Sequence, residues 1–175
     1  MEKGIWSGKL KLEKEQILKK IGWLLFYLYI IFLSYFLFFS ERYGRSHMSV
    51  DYRYNLELFK EIKRFIKYRE RIGFENFIVN ILGNVLAFTP YGFLLPLLNV
   101  RYQKFIWILF LSFLFTLTVE LIQLVFKVGI FDVDDLFLNT VGGIIGFLFY
   151  KLLTYIGIKS KNKAQGGKQG VKEEK

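Results

Sequence analysis

The stretch IFDVDDLFLNTVGGIIG, residues 130–146, places three aspartates directly before a strongly apolar helical pattern. Asn139 and the glycines Gly142, Gly143 and Gly146 then follow on that same predicted helix at intervals of about one turn. A segment suited to the interior of a bilayer thus begins with a concentration of negative charge. The role of these aspartates depends on where the rest of the chain places its polar residues.

Four long apolar blocks divide the chain of 175 residues, of which 53% are hydrophobic. Two blocks contain no charged residue, and the other two contain one each, Glu120 and Lys151. A membrane-spanning helix needs about 20 apolar residues, and the alternating pattern of a membrane barrel is absent. The sequence predicts an all-α membrane protein with four transmembrane helices, at about residues 21–39, 77–98, 105–126 and 136–157.

The basic segments outside the spans predict the orientation. Residues 1–20 form a basic arm with six lysines, and residues 159–175 form a lysine-rich tail that we expect to be disordered. With four spans both segments share one side, and the lysine bias places both termini in the cytoplasm. The loop at residues 40–76 opposes this orientation with nine basic residues. We expect a multi-pass protein of the bacterial cytoplasmic membrane, with residues 21–158 as its transmembrane domain.

The first loop contains a second helical pattern, NLELFKEIKRFIKYRE, at residues 55–70. Its apolar residues share one helical stripe, and lysines and arginine occupy the opposite side. A basic amphipathic segment beside membrane spans predicts an interfacial helix that contacts membrane lipids. It is either a connector on the lipid surface, or a lid or binding surface for anionic envelope polymers.

Polar residues inside the spans cluster in one leaflet. The second span starts, the third ends and the fourth starts on the same side of the membrane. Near that side the candidate site residues are Asn80, Asn84, Glu120, Gln123, Asp132, Asp135 and Asn139. A buried carboxylate costs about 2.5–3.5 kcal/mol on insertion scales, so we expect Glu120 to face the bundle interior, to be paired, or to be protonated. Its possible hydrogen-bond donors are the amides of the cluster. The cluster is either a network that holds the helices together or a pocket for a ligand headgroup.

Two further features concern how the helices pack. Pro90 removes a backbone donor from the second span and predicts a kink there. Gly142 and Gly146 form a GxxxG pair that lets another helix approach closely, either within the chain or in a homo-oligomer.

The sequence predicts no metal site and no cofactor. The spacing of Asp132, Asp134 and Asp135 differs from that of a calcium-binding loop, the chain has no cysteine, and its single histidine lies in the first loop. Asp135 can instead cap the fourth helix. The high net charge of +10 comes without a nucleic-acid recognition motif, so we predict no nucleic-acid partner.

Four stretches together resemble the VanZ-like family of small bacterial membrane proteins, across roughly residues 53–146. These are NLELFKEI, NILGNVLAFTPYGFLLPLL, ELIQLVF and FDVDDLFLNTVGGIIG. Before the second span, Arg53 and Asn55 fit the family pattern, whereas Leu58 stands where a proline is usual. From the second span to the fourth the matching residues are Asn80, Asn84, Phe88, Pro90, Gly92, Glu120, Gln123, Asp132, Asp135, Asn139, Thr140 and Gly142.

The resemblance implies a link to low-level resistance to the glycopeptide teicoplanin, exerted at the outer surface of the cell. One hypothesis is a non-enzymatic membrane protein whose outward polar cluster binds an envelope component or a lipophilic glycopeptide. The alternative is an intramembrane enzyme acting on a lipid-linked cell-wall precursor, with Glu120 and Asp135 in acid–base roles. A third is a channel or transporter. The first is favoured because no nucleophile–base pair, phosphate loop or inverted repeat is visible in the sequence.

Overall fold

The computed structural model describes residues 2–39, 51–68 and 74–170. In chain order the elements are α1 (Glu2–Phe39), β1 (Tyr54–Asn55), α2 (Lys60–Lys67), α3 (Phe74–Leu98), a 3-10 turn (Val100–Gln103), α4 (Phe105–Val125), β2 (Phe131–Asp132) and α5 (Val133–Gly170). Four segments in the described part are long and apolar enough to cross a membrane: Gln16–Phe38, Asn80–Leu98, Phe105–Val125 and Val133–Lys159. The chain is therefore an all-α, multi-pass membrane protein.

The first and last helices extend well beyond the predicted spans. Helix α1 begins at Glu2, within the predicted basic arm, and α5 continues to Gly170, past the predicted start of the disordered tail at residue 159. The added residues include many lysines, glutamates, glutamines and leucines, which are strong helix formers. Extending an existing helix also avoids the unfavourable nucleation step.

The first loop is organised differently from the sequence prediction. Helix α2 begins at Lys60 rather than at residue 55, because Phe59 adopts a left-handed conformation with φ of 65° that no α-helix continues through. Upstream, Asn55 pairs with Asp132 in a parallel two-stranded contact between β1 and β2. The backbone N–H of Phe131 also donates to the carbonyl oxygen of Arg53 at 3.0 Å. The loop is thus tied by its backbone to the segment that precedes α5.

Helices α3 and α5 form the tightest contact of the bundle. A Cβ atom added to Gly142 would lie 2.2 Å from the carbonyl oxygen of Val85, and one added to Gly146 would lie 1.9 Å from that of Thr89. These glycines therefore let the backbones of α3 and α5 touch directly. The GxxxG face of α5 is used within the chain, and α3 continues as helix through Pro90.

Large apolar side chains form two buried clusters in the bundle. One buried cluster contains Tyr91, Leu95, Ile108, Phe147 and Tyr150. Helix α1 contributes to a second cluster, in which Leu33 and Leu37 pack with Phe88 and Val119. Most of the apolar α1 side chains whose burial is described nevertheless face outward, so that part of α1 lies at the periphery of the bundle, where a bilayer would cover it.

The close α3–α5 contact predicts the effect of one methyl group. In Gly146→Ala the added Cβ meets the carbonyl oxygen of Thr89, a backbone atom that cannot rotate aside, so the helices must separate. We expect the free energy of unfolding to fall by about 1–3 kcal/mol or more. The measurement is the unfolding temperature of the purified protein in detergent, which should be lower than that of the unchanged protein. Gly157→Ala is the matched control, because a Cβ there meets nothing within 4 Å. Equal unfolding temperatures for the two variants would contradict this account of the packing.

Candidate functional site

Buried polar side chains gather at the end of the bundle where α3 and α5 begin and α4 ends. We call this the aspartate end. The buried polar residues there are Asn84, Glu120, Gln123, Asp132, Asp134 and Asn139. Asp135 and Asn80 are half-buried beside them. The structure therefore brings the predicted residues of α3, α4 and α5 to one end, as the span topology requires.

Asp132 caps helix α5. Its Oδ1 accepts hydrogen bonds from the backbone N–H of Asp134 at 2.8 Å and from Nδ2 of Asn55 at 3.0 Å. The first bond satisfies one of the unpaired N–H groups at the helix start, where negative charge is also favoured by the helix dipole. The cap is thus Asp132, not Asp135 as the sequence suggested. Burial raises the pKa of Asp132, and these hydrogen bonds oppose that shift.

Asp134 holds the start of helix α2. Its Oδ1 accepts from the backbone N–H of Phe59 and its Oδ2 from that of Ile62 at 3.2 Å. Phe59, the N-cap residue, supplies no side-chain cap of its own. Asp134 is 1% exposed and replaces that missing cap from 75 residues away. We call the set of contacts made by Asp132 and Asp134 to the first loop the aspartate clasp.

Asp134 was not among the candidate site residues. The sequence gives no clear signal for it, because the helix predicted over residues 55–70 starts at Asn55, a residue type that can cap a helix. Only the observed start at Lys60, directly after Leu58 and Phe59, leaves the helix without Ser, Thr, Asn or Asp at its start. Such a helix must obtain a partner for its first N–H groups elsewhere. The sequence does not say which of three nearby aspartates provides it.

Glu120 fixes the turn between α4 and α5. Its side chain is 2% exposed, and its Oε2 accepts from the backbone N–H of Asp132 at 3.0 Å. We expected its hydrogen-bond donors to be amide side chains. One donor to Oε2 is a backbone N–H next to the start of α5.

The amide side chains form separate links between helices. Nδ2 of Asn84 donates to Oδ1 of Asp135 at 2.5 Å, joining α3 to α5. Nδ2 of Asn139 donates to Oγ1 of Thr116 at 2.8 Å, joining α5 to α4. Nε2 of Gln123 donates to the carbonyl oxygen of Leu37 at 3.0 Å, joining α4 to α1. These three amides therefore link neighbouring helices of the bundle.

Three buried polar atoms have no hydrogen-bond partner among the described residues: Ser112 Oγ, Gln123 Oε1 and Asn139 Oδ1. All three belong to helices α4 and α5. They give this part of the interior hydrogen-bonding capacity beyond the links that hold the helices together. No group of three or more His, Cys, Asp or Glu residues within the described ranges is arranged to hold a metal ion.

The outer surface of the aspartate end has the opposite charge. Helix α2 exposes its four basic residues, Lys60, Lys63, Arg64 and Lys67. Aromatic rings lie among the basic groups, since Lys67 Nζ is 5.5 Å from the ring centre of Tyr68 and Lys127 Nζ is 4.6 Å from that of Tyr52. Arg53, the other predicted loop residue, is exposed as well. Buried carboxylates thus lie beneath an exposed basic and aromatic surface.

The chain belongs to the VanZ/LLP1 family, whose sequence model matches residues 26–154, well over half of its length. It is similar to Protein VanZ of Enterococcus faecium, with 40% identity over 78 residues. That alignment covers 41% of this chain and 44% of the relative, so it spans less than half of either protein. No solved structure matches the chain.

The aspartate clasp predicts how α2 responds to loss of one charge. In Asp134→Asn an amide replaces a carboxylate whose two oxygens each accept a backbone N–H bond. The amide oxygen can still accept one of these bonds, but the NH₂ group cannot accept the other. Losing charge-assisted hydrogen bonds of this kind costs about 1.5–3 kcal/mol. We expect amide hydrogen exchange in the peptide covering Phe59 and Ile62 to become about ten- to a hundredfold faster.

Glu57→Gln is the matched control for this measurement. It also neutralises one acid of the same segment, but Glu57 is exposed and contacts exposed Lys60 at 3.4 Å. Such surface pairs contribute about 0–1 kcal/mol, so exchange should remain close to that of the unchanged protein. If Asp134→Asn exchanged no faster than Glu57→Gln, the clasp would not be what holds α2.

Proposed function

We propose that this member of the VanZ/LLP1 family acts without catalysis at the outer face of the bacterial cytoplasmic membrane. There it lowers susceptibility to teicoplanin-like glycopeptides, through contact with an envelope component or with the lipophilic drug. Membership of the family and the similarity to Protein VanZ support this role.

One observation carries the non-enzymatic part of the proposal. The carboxylates of Asp132, Asp134 and Glu120 are buried and accept hydrogen bonds from backbone N–H groups. An acid or base catalyst must reach a proton of its substrate, directly or through one water. Carboxylates that fix loop backbone are better suited to holding β1 and α2 in place. The loop they hold is exposed and is available to contact a partner.

The proposed orientation places that loop outside the cell. Six lysines in residues 1–20 and six more in residues 159–175 favour the cytoplasm for both termini. The aspartate end lies where α1 ends and α5 begins, on the side of the membrane opposite to the two termini. In this orientation it is therefore outside the cell. A glycopeptide acting on the outer envelope would then meet β1 and α2 first.

The absence of native cysteine makes the orientation directly testable. Leu56→Cys, at a site 66% exposed beside β1, should react in intact cells with a maleimide that cannot cross the membrane. Val100→Cys, 76% exposed in the 3-10 turn at the other end of the bundle, should react only after the cells are permeabilised. The reverse pattern of labelling would invert the orientation and refute an outer-face role.

The functional test is drug susceptibility in a sensitive Gram-positive host. Expression of the unchanged protein should raise the inhibitory concentration of teicoplanin above that of the empty vector. Asp134→Asn should lose this protection, because α2 is released from the bundle, whereas Glu57→Gln should retain it. Equal inhibitory concentrations with and without the protein would refute the proposed role.

Glu120→Gln separates this proposal from the enzymatic alternative. The amide oxygen of glutamine can still accept from the N–H of Asp132, but it cannot take part in acid–base chemistry. We expect Glu120→Gln to protect as well as the unchanged protein when both are present in the membrane at equal amounts. Loss of protection at equal amount and equal thermal stability would favour an enzyme.

A further inference from the structure

We propose that the exposed basic face of helix α2 binds the phosphate groups of anionic lipid headgroups at the edge of the bundle. The site consists of Lys63 and Lys67, with Lys60 and Arg64 beside them on the same face. This inference goes beyond the proposed function, because it concerns the membrane itself and requires neither a drug nor a particular orientation.

The first step is the position of α2 relative to the bilayer. The ring of Phe59 packs edge-to-face on that of Phe137, with 5.4 Å between the ring centroids. Phe137 belongs to a membrane-spanning helix and is 43% exposed, so the open part of its surface faces lipid. It lies four residues after the start of α5, or about 6 Å along the helix axis. The start of α2 therefore lies on the lipid-facing flank of α5, at the level of the headgroups.

The second step is the rotation of α2 about its own axis. Asp134 accepts from the N–H groups of Phe59 and Ile62, and the Ile62 side chain is half-buried against the bundle. At 100° per residue, Lys67 lies about 140° from Ile62 around the helix, and Lys63 lies about 100° from it. Both lysines are exposed. The aspartate clasp thus fixes which face of α2 is presented outward.

The third step is the charge of that face. Helix α2 contains four basic residues and one acidic residue. The aspartates nearest to it, Asp132 and Asp134, are buried beneath the loop and bonded to N–H donors. Flexible lysine side chains can extend along apolar surface and place their ammonium groups at the phosphate level. An exposed basic helix at headgroup depth is complementary to anionic lipid. Each basic residue near the surface raises the binding constant for anionic lipid by about fivefold.

The side chains of Ile66 and Tyr68 also suit a position of α2 at the membrane–water interface. Ile66 is 53% exposed and lies on the side of α2 that bears Phe59, so it can contact acyl chains. Tyr68 is 40% exposed and stacks beneath the ammonium group of Lys67. Tyrosine is enriched at the membrane–water interface because its ring is apolar and its hydroxyl is polar. Apolar contact on one side and ammonium groups on the other is the arrangement of an interfacial lipid-binding helix.

The experiment measures which lipid lies beside α2. Ile66→Cys supplies a unique thiol for a bimane fluorophore, since the chain has no native cysteine. The labelled protein is reconstituted in vesicles that contain equal fractions of brominated phosphatidylglycerol or of brominated phosphatidylcholine. Bromine quenches the fluorophore only at close range. We expect stronger quenching by the anionic lipid, and loss of that preference at about 1 M salt, where the screening length falls to about 3 Å.

Charge variants identify the residues responsible. The double variant Lys63→Gln, Lys67→Gln should reduce the preference for the anionic lipid by about tenfold or more, whereas Lys63→Arg, Lys67→Arg should retain it. Lys104→Gln, which removes a charge at the other end of the bundle, should have no effect. Lipid retained by the unlabelled protein in native mass spectrometry provides a second readout, should the fluorophore itself disturb α2.

Three outcomes would overturn the proposal. One is equal quenching by the two brominated lipids, and another is an unchanged preference in the lysine-to-glutamine double variant. The third is loss of the preference when soluble glycerol phosphate is added at low salt, which would assign the face to a free phosphate instead of a lipid. The quenching experiment contains no drug, so a negative result there does not bear on the susceptibility measurements. Likewise, a failed susceptibility test does not bear on lipid binding by α2.

Discussion

Backbone N–H groups at helix starts need partners wherever water is scarce, and the aspartate end is organised around that requirement. Asp132 serves the first turn of α5, Asp134 serves the first turn of α2, and Glu120 serves the N–H of Asp132. Each carboxylate is thereby balanced by fixed dipoles rather than left in an apolar medium. The same bonds place the first loop over the bundle. Charge that looks misplaced in an apolar sequence is thus what closes one end of the fold.

This arrangement depends on the contact between α3 and α5. The 2.5 Å bond from Asn84 to Asp135 can form only where the two helices approach closely, and Gly142 and Gly146 make that approach sterically possible. Small residues and polar links therefore act together: the glycines set the distance, and the amide and carboxylate pairs set the register. Apolar contact alone would distinguish poorly between neighbouring registers, because the lipid is as apolar as the helices.

The sequence predicts the strongly periodic parts of this structure well. Span number and position follow from the lengths of apolar runs, and span topology brings Asn84, Glu120 and Asp132 to one end. The start of α2 in the first loop is less predictable, because Leu56 and Leu58 fit a helical stripe as well as they fit an extended segment. The predicted helix therefore begins at residue 55, five residues before the observed start at Lys60. The partner of each carboxylate was not predictable either. Periodicity assigns a residue to a face, but a hydrogen bond between Asp134 and Phe59 depends on a distance set by the assembled bundle.

The pairing of β1 with β2 has a consequence for biogenesis. Its partners are separated by 77 residues in the chain, and the cap of α2 is separated from that helix by a similar length. During synthesis the first loop is therefore complete long before Asp132 and Asp134 emerge. Until then its strand lacks a partner and α2 lacks a cap, as expected for contacts of high sequence separation. Insertion of the last span is consequently the step that completes the first loop, and a chain truncated before it would present an unfinished surface to cellular proteases.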